Sequence, residues 1–142
     1  MMSRTAWNAA MAQYNLAALV RDAAGEFGPL FRGEQLNIAN EYMLEQKYGC
    51  RSAAAKGTET RAAYDAEAFR HEALMDPYYE KYGDPKREAA QALVKIPAPD
   101  LDALRFKVDL IKSEELYCYV GTEDAFDYVE ADAQRLSMKE AA

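Results

Sequence analysis

The chain has 142 residues, a formal net charge of −7 and a hydrophobic fraction of one half. This length suffices for one domain and for a core that needs neither disulfides nor a metal ion. The negative charge argues against a duplex nucleic-acid binder or a basic membrane-surface helix, and one histidine with two cysteines excludes most all-protein zinc sites.

The first 24 residues hold no continuous apolar segment, because Arg4, Gln13 and Asp22 are among the polar side chains that interrupt it. We therefore expect no signal peptide, and no stretch reaches the roughly 20 apolar residues of a membrane span. Cys50 and Cys118 form no CxxC motif, which predicts reduced thiols and a cytoplasmic protein.

Helix-forming residues dominate the chain, whereas valine and isoleucine are few. This composition predicts a single all-α domain over residues 1–142. We expect a small bundle of about five helices that ends in a C-terminal antiparallel helical hairpin.

The first helix is predicted over residues 4–24. One apolar row begins at Trp7 and recurs at helical spacing, and Leu16, Leu19 and Val20 belong to a second row. Together the rows predict a wide buried stripe, which would also suit a homodimer.

Residues 25–33 contain three glycines and one proline, and predict a loop held by Phe27, Leu30 and Phe31. A second helix is predicted over residues 34–48, with Gly49 as its end. Its expected buried face comprises Leu36, Ile38, Ala39, Tyr42 and Met43.

Thr58 is expected to cap a third helix over residues 58–75, after a segment (50–57) that fits either a helical extension or a linker. The face expected to be buried on this helix comprises Ala62, Ala66, Phe69 and Ala73. Two Asp-Pro pairs, at 76–77 and 84–85, predict new helix starts. An aspartate side chain can cap the first turn of a helix, and a proline at the first helical position lacks only an N–H group that would have no hydrogen-bond partner there. We expect a short turn over 78–82, a stop at Gly83 and a helix over 85–95.

The sequence Pro97-Ala-Pro-Asp100 predicts a further break and a cap. Helices over 101–117 and 123–138, separated by Gly121-Thr122, would form the hairpin, and the first helix with Trp7 would fill its groove. The apolar rows of the two helices comprise Leu101, Leu104, Val108 and Ile111, and Phe126, Val129, Ala133 and Leu136.

Trp7 with Tyr14, the segment 92–111 and the segment 128–136 resemble a group of small acidic helical proteins encoded by bacterial phages, prophages and neighbouring mobile elements. The resemblance covers roughly half of the chain, at its two ends, and the middle from about residue 25 to 83 is longer than in that group. The resemblance implies a genomic context, and it carries no catalytic residue with it.

No residue pattern predicts catalysis. His71 could act with Cys50 or Cys118 as a nucleophile, but no spacing unites them, and an ordinary helical histidine is the favoured interpretation. Walker, GxGxxG and GxSxG motifs are absent, and so is an EF-hand loop. We expect no cofactor and no metal, although a carboxylate-only Mg²⁺ or Ca²⁺ site stays open.

The ten tyrosines suggest an interface, because tyrosine joins a large apolar ring to a polar tip. For Tyr14, Tyr64 and Tyr117 we favour a core role. For Tyr78, Tyr79 and Tyr82 core and partner contacts are equally favoured, since rings on a short turn cannot all point inward.

Acidic side chains concentrate in residues 100–142, which hold five basic and eleven acidic residues. Glu123, Asp127 and Glu130 share one predicted helix face, with Asp124 and Asp132 at its sides. The row could mimic phosphates before a basic protein groove, but a solvated helix face is the commoner explanation.

We therefore expect a phage-type helical protein that binds a protein partner, with no catalysis, no direct nucleic-acid binding and no membrane contact. Its candidate partner-binding residues are Glu123, Asp124, Asp127, Glu130, Tyr78, Tyr79 and Tyr82. The alternative is an anti-defence inhibitor, for example anti-CRISPR-like, whose acidic last third blocks a nucleic-acid-binding groove. A small enzyme that uses His71 or buried carboxylates is the third hypothesis.

Overall fold

The computed structural model describes residues 2–50 and 57–141, and every regular element within them is helical. This confirms the all-α prediction; of the segment 50–57, residues 51–56 lie outside the described part. The elements are α1 (Met2–Glu26), α2 (Pro29–Tyr48), α3 (Glu59–Val94), α4 (Leu101–Ser113), a 3-10 helix (Leu116–Cys118) and α5 (Ala125–Ala141).

The chain divides into two compact units. The first, which we call the terminal unit, comprises Met1–Leu19 and Asp84–Ala142, and the second, the central unit, comprises Val20–Gly83. The single domain over residues 1–142 stays a prediction.

The core of the terminal unit forms around Trp7 of α1, as the sequence predicted for this side chain. The ring is 5% exposed and belongs to one cluster with side chains from the end of α3, from α4 and from the start of α5. Its fully or largely buried partners are Ala90, Leu93, Val94, Ala98, Ala103, Leu104, Leu110, Leu116 and Ala125.

The second apolar row of α1 is not buried, so the predicted wide stripe is wrong. Leu16 is 61% exposed and Leu19 is 67% exposed, and Val20 is also exposed. Periodicity identified the row correctly but could not show whether a neighbour covers it, because that depends on tertiary packing.

Local capping predictions near the helix ends are confirmed. Asp100 precedes α4 in an extended conformation, and its carboxylate accepts a 2.8 Å hydrogen bond from the Ala103 N–H. Thr58 Oγ1 accepts from the Arg61 N–H at 3.2 Å, directly before α3. Gly49 follows α2 with a φ of +85°, a conformation that glycine adopts without a steric penalty.

The two Asp-Pro pairs do not start helices, which corrects the predicted turn at 78–82, the stop at Gly83 and the separate helix from 85. α3 runs through both pairs without interruption. Pro77 and Pro85 leave the carbonyls of Ala73 and Lys81 without their helical donors. All four residues are exposed, so water can satisfy those carbonyls.

In the central unit, α2 begins at Pro29, so the predicted loop over 25–33 is shorter than expected. Phe27 and Phe31 do not hold it, because they are exposed, whereas Leu30 is buried with Ala24 and Met75. Gly33 permits the close approach of α3: a Cβ there would lie 2.1 Å from the Met75 sulfur.

The faces predicted to be buried on α2 and on the first part of α3 are exposed instead. On α2, every member of the predicted face is exposed, and on α3 Phe69 is 74% exposed. The buried positions of α3 in this unit are Tyr64, Glu67 and Met75. A buried glutamate breaks the apolar pattern, which is why the sequence indicated the wrong side.

Candidate functional site

An apolar groove of about 340 Å³ lies between α4 and α5 in the terminal unit. Phe126 and Tyr117 form its most open part, with 70% and 54% of their surfaces exposed. The exposure of Tyr117 corrects its predicted core role. The groove is lined by Val108, Ile111, Lys112, Tyr117, Ala125, Phe126 and Val129.

The groove is built from the apolar rows that the sequence assigned to the inside of the hairpin. On α4, Leu104 and Leu110 are buried, whereas Val108 and Ile111 are only half-buried and face the groove. Leu101, predicted in the same row, is 49% exposed. The row of α4 is therefore divided between the core and an open surface.

On α5 the predicted row is likewise displaced from the core. Ala125 and Asp132 are the buried side chains near its start and middle, whereas Phe126 is open and Val129 half-buried. The displacement follows from a buried charge on α5: Asp132 occupies the core-facing position that an apolar residue was expected to hold.

Asp132 pairs with Lys107 and joins α5 to α4 inside the terminal unit. The Lys107 ammonium also donates to the Ile96 carbonyl at 2.7 Å, and the Asp132 carboxylate accepts from the Ala98 N–H at 3.2 Å. Burial lowers the pKa of Lys107, and the carboxylate opposes this shift. Asp132 is thus a structural charge, which corrects its predicted place beside the acidic surface row.

A short turn before α5 holds Phe126 and Tyr117 at the groove. The Thr122 hydroxyl is fully buried, donates to the Leu116 carbonyl at 2.8 Å and accepts from Gln91 at 3.1 Å. Leu116 is buried, and the next residue of the 3-10 helix, Tyr117, turns outward.

The predicted acidic residues of α5 are exposed, and helical spacing places them at different distances from the groove. Glu130 lies about 40° around the helix from the groove-lining Phe126, whereas Asp127 lies about 100° from Phe126 on the outer side of α5. Glu123 and Asp124 are also exposed, but they precede α5, so the row does not begin on the helix as predicted. Glu123 accepts from the Gly121 N–H at 2.7 Å.

The predicted tyrosine cluster separates into inner and outer rings in the central unit. Tyr78 and Tyr82 are half-buried on α3 and stack with their ring centres 6.4 Å apart. Tyr79 is 40% exposed and donates to Glu34 on α2 at 2.9 Å. Burial, reinforced by that carboxylate, raises the pKa of Tyr79.

His71 contacts a carboxylate rather than a thiol: its Nε2 lies 3.2 Å from Glu34 Oε1. Both cysteines are exposed. Among the residues that the structure describes, no group of three or more histidine, cysteine or acidic side chains could hold a metal ion.

A second polar cluster, which sequence reasoning missed, connects α2 to α3. Glu67 is 8% exposed, accepts from Asn40 at 3.2 Å and pairs with Arg70 at 2.6 Å. The Arg70 hydrogen bond lowers the pKa of Glu67, and the carboxylate in turn raises the pKa of Arg70. The spacing of Glu67 and Arg70 is visible in the sequence, but their burial is not.

The comparisons with known proteins add no relative. The sequence matches no family model, and no curated protein or solved structure is significantly similar to it. Within residues 2–50 and 57–141, no helix has the length and apolar character needed to span a bilayer.

Proposed function

We propose that this protein acts by binding another protein, without chemistry of its own, through the groove between α4 and α5. The observation that carries the proposal is an open apolar groove with Phe126 70% exposed at its edge. Exposed aromatic rings beside an apolar channel are costly in water and are typical of binding surfaces. In this proposal α4 and α5 form the C-terminal antiparallel hairpin that holds the groove open.

The partner chemistry follows from the side chains around the groove. Glu130 offers negative charge beside Phe126 and Asp127 adds to it on the outer side of α5, whereas the floor is almost wholly apolar. A partner segment that presents apolar side chains on one face and basic ones beside them satisfies both, as an amphipathic helix in a groove does. The partner is a host or phage protein if the chain has the phage-type origin that its ends resemble.

A second candidate function uses the acidic surface without the groove. Asp124, Asp127 and Glu130 are all exposed, and carboxylates one helical turn apart approach the spacing of phosphates on a nucleic-acid strand. Such a surface would occupy the basic groove of a nucleic-acid-binding enzyme, as an anti-CRISPR-like inhibitor does. Its binding would weaken steeply with salt, since charge would supply most of the affinity.

Two variants separate these functions. A partner is first captured from a bacterial lysate with the wild-type protein and identified by mass spectrometry. Its affinity for the wild-type protein is then compared with its affinity for two variants, Phe126→Ser and Asp127→Lys/Glu130→Lys. Groove binding predicts a loss of at least about tenfold in affinity for Phe126→Ser. Phosphate mimicry predicts that the charge reversal abolishes binding while Phe126→Ser retains it.

Each variant has a matched control in the same unit. Met138 is 74% exposed on α5, so Met138→Ser removes comparable apolar surface away from the groove. The Asp102 side chain is 93% exposed on α4, so Asp102→Lys changes charge at another surface position. Equal losses for Phe126→Ser and Met138→Ser would refute the groove as the docking site.

A further inference from the structure

A cavity of about 360 Å³, which we call the α2–α3 cavity, opens between these two helices in the central unit. Three polar side chains line it, namely Asn40, Glu67 and Arg70. The rest of its lining is apolar and comprises Met43, Leu44, Ala63 and Ala66. Small-molecule pockets have volumes of roughly 300–1,000 Å³ and combine an apolar wall with a few convergent polar groups, so this cavity has the composition of a ligand site.

The polar groups gather at one end of the cavity because α2 and α3 run antiparallel. Asn40 of α2 donates to Glu67 of α3 at 3.2 Å, and later on α2 but earlier on α3 the Gly49 carbonyl accepts from the Tyr64 hydroxyl at 2.7 Å. The four apolar residues follow Asn40 along α2 or precede Glu67 along α3. The apolar wall therefore extends from the polar end toward the end of α2.

The buried Glu67 carboxylate fixes the orientation of the Arg70 guanidinium. Its two oxygens accept from Arg70 Nη2 at 2.6 Å and from Arg70 Nε at 2.8 Å, and Asn40 holds the same carboxylate from α2. A buried ion pair contributes little net stability, because removing two charges from water offsets their attraction. A guanidinium held in one orientation beside a cavity is, by contrast, what the recognition of a ligand needs. Binding therefore explains this arrangement better than stability does.

Arg70 keeps donors for a ligand. A guanidinium carries five N–H groups, and Glu67 accepts two of them through Nε and Nη2. The Arg70 side chain is 36% exposed and that of Glu67 only 8%, so the pair turns its positive end outward. The edge of the guanidinium formed by its two terminal nitrogens matches a planar carboxylate, which accepts two parallel hydrogen bonds from such an edge.

We propose that the α2–α3 cavity binds a small monocarboxylate with an apolar body. The ligand carboxylate accepts from the outer edge of Arg70, and the body of the ligand covers the apolar wall. A cationic ligand is repelled by Arg70, and an anion without an apolar body leaves the wall exposed to water. The site lies within the central unit and needs no protein partner, so this inference goes beyond the proposed function and succeeds or fails independently of it.

Titration of the full chain with benzoate, followed by heteronuclear NMR, tests the proposal. We expect saturable binding within about 10 mM benzoate, since so small a ligand binds weakly even in a good site. Benzamide and benzylammonium, which share the ring but lack the negative charge, and inorganic phosphate, which lacks the ring, should bind at least about tenfold more weakly. Arg70→Gln should weaken benzoate binding by a similar factor, whereas Arg61→Gln, which removes the same charge from α3 outside the cavity lining, should leave it unchanged.

A second pair of variants covers the case in which Arg70→Gln unfolds because Glu67 loses its partner. Ala66 is exposed and lines the cavity, so Ala66→Trp takes up space for the apolar body and removes no polar group. It should abolish benzoate binding, whereas Ala62→Trp, at an exposed position of α3 outside the cavity lining, should retain it. No saturable benzoate binding to the wild-type chain, equal affinities for benzoate and benzamide, or equal effects of the two tryptophans would overturn the proposal.

Discussion

Replacing Asp132 by alanine is expected to destabilise the terminal unit by about 3–5 kcal/mol, because the Lys107 ammonium would stay buried without its counter-charge. The Lys107 side chain is 1% exposed, so it cannot reach water by a small rotation. The Ala98 N–H would lose its acceptor in the same variant. Lys107→Met should cost less, about 1–2 kcal/mol, because Asp132 keeps Arg135 and that N–H as donors.

Trp7 provides the assay, since it is the one tryptophan of the chain and lies 5.6 Å from the Lys107 ammonium. Its fluorescence reports urea unfolding of the terminal unit. With a denaturant slope of about 2 kcal/mol per molar urea, a loss of about 4 kcal/mol lowers the midpoint by about 2 M. Equal midpoints for Asp132→Ala and Lys107→Met would refute the argument from an unpaired buried cation.

The pH dependence gives an independent check of the same prediction. Burial lowers the native pKa of Lys107, and Asp132 is the group that opposes this shift. In Asp132→Ala, the buried Lys107 amine of the native state binds a proton less readily than the same amine in the unfolded chain. The stability of this variant should therefore rise with pH up to the usual lysine pKa of about 10.4. The unfolding free energy of Asp132→Ala should therefore approach that of wild type as the pH rises toward about 10.4.

Three further predictions concern the central unit. Gly33→Ala should lower the stability of this unit by about 1–3 kcal/mol in thermal unfolding, because the new methyl group meets the buried Met75 sulfur. Gly83→Ala is the control: there is open space around this glycine, so alanine should stabilise α3 by up to about 1 kcal/mol. The native Glu67 carboxylate has a lowered pKa, so the stability it contributes is lost as it becomes protonated below about pH 4.5. Glu67→Gln removes this titrating group, so the variant should lose less stability on acidification than wild type. Urea titrations that show the same acid dependence for both proteins contradict this prediction. Tyr64→Phe should cost about 1 kcal/mol by circular dichroism, because the hydroxyl loses its 2.7 Å bond to the end of α2, and a cost near zero would show that water replaces it.

Features that depend on a few neighbouring residues were predictable from the sequence. The cap at Asp100, the cap at Thr58 and the end of α2 at Gly49 each rest on a side chain or backbone conformation that acts within one helical turn. Trp7 was predictable as a core residue because a large aromatic ring began a regular apolar row.

Features that depend on long-range packing were not predictable. An Asp-Pro pair has the same local chemistry at a helix start and inside α3, so the pair alone does not distinguish the two cases. Asp132 looked like one of several surface acids, because its partner Lys107 lies 25 residues away in the chain. The sequence predicted the two apolar rows that line the groove but not the groove itself, because neighbouring residues in the chain do not show whether an apolar row is covered by another element.

The prolines inside α3 have a consequence for how this helix opens. Because Pro77 and Pro85 donate no amide hydrogen, the backbone ladder lacks a bond at the carbonyls of Ala73 and Lys81. Amide hydrogens that follow each missing bond should exchange with solvent deuterium faster than those around the buried Leu93. A helix that is continuous in shape is thus divided into segments of unequal protection, and the weak points lie where the sequence first suggested that it would break.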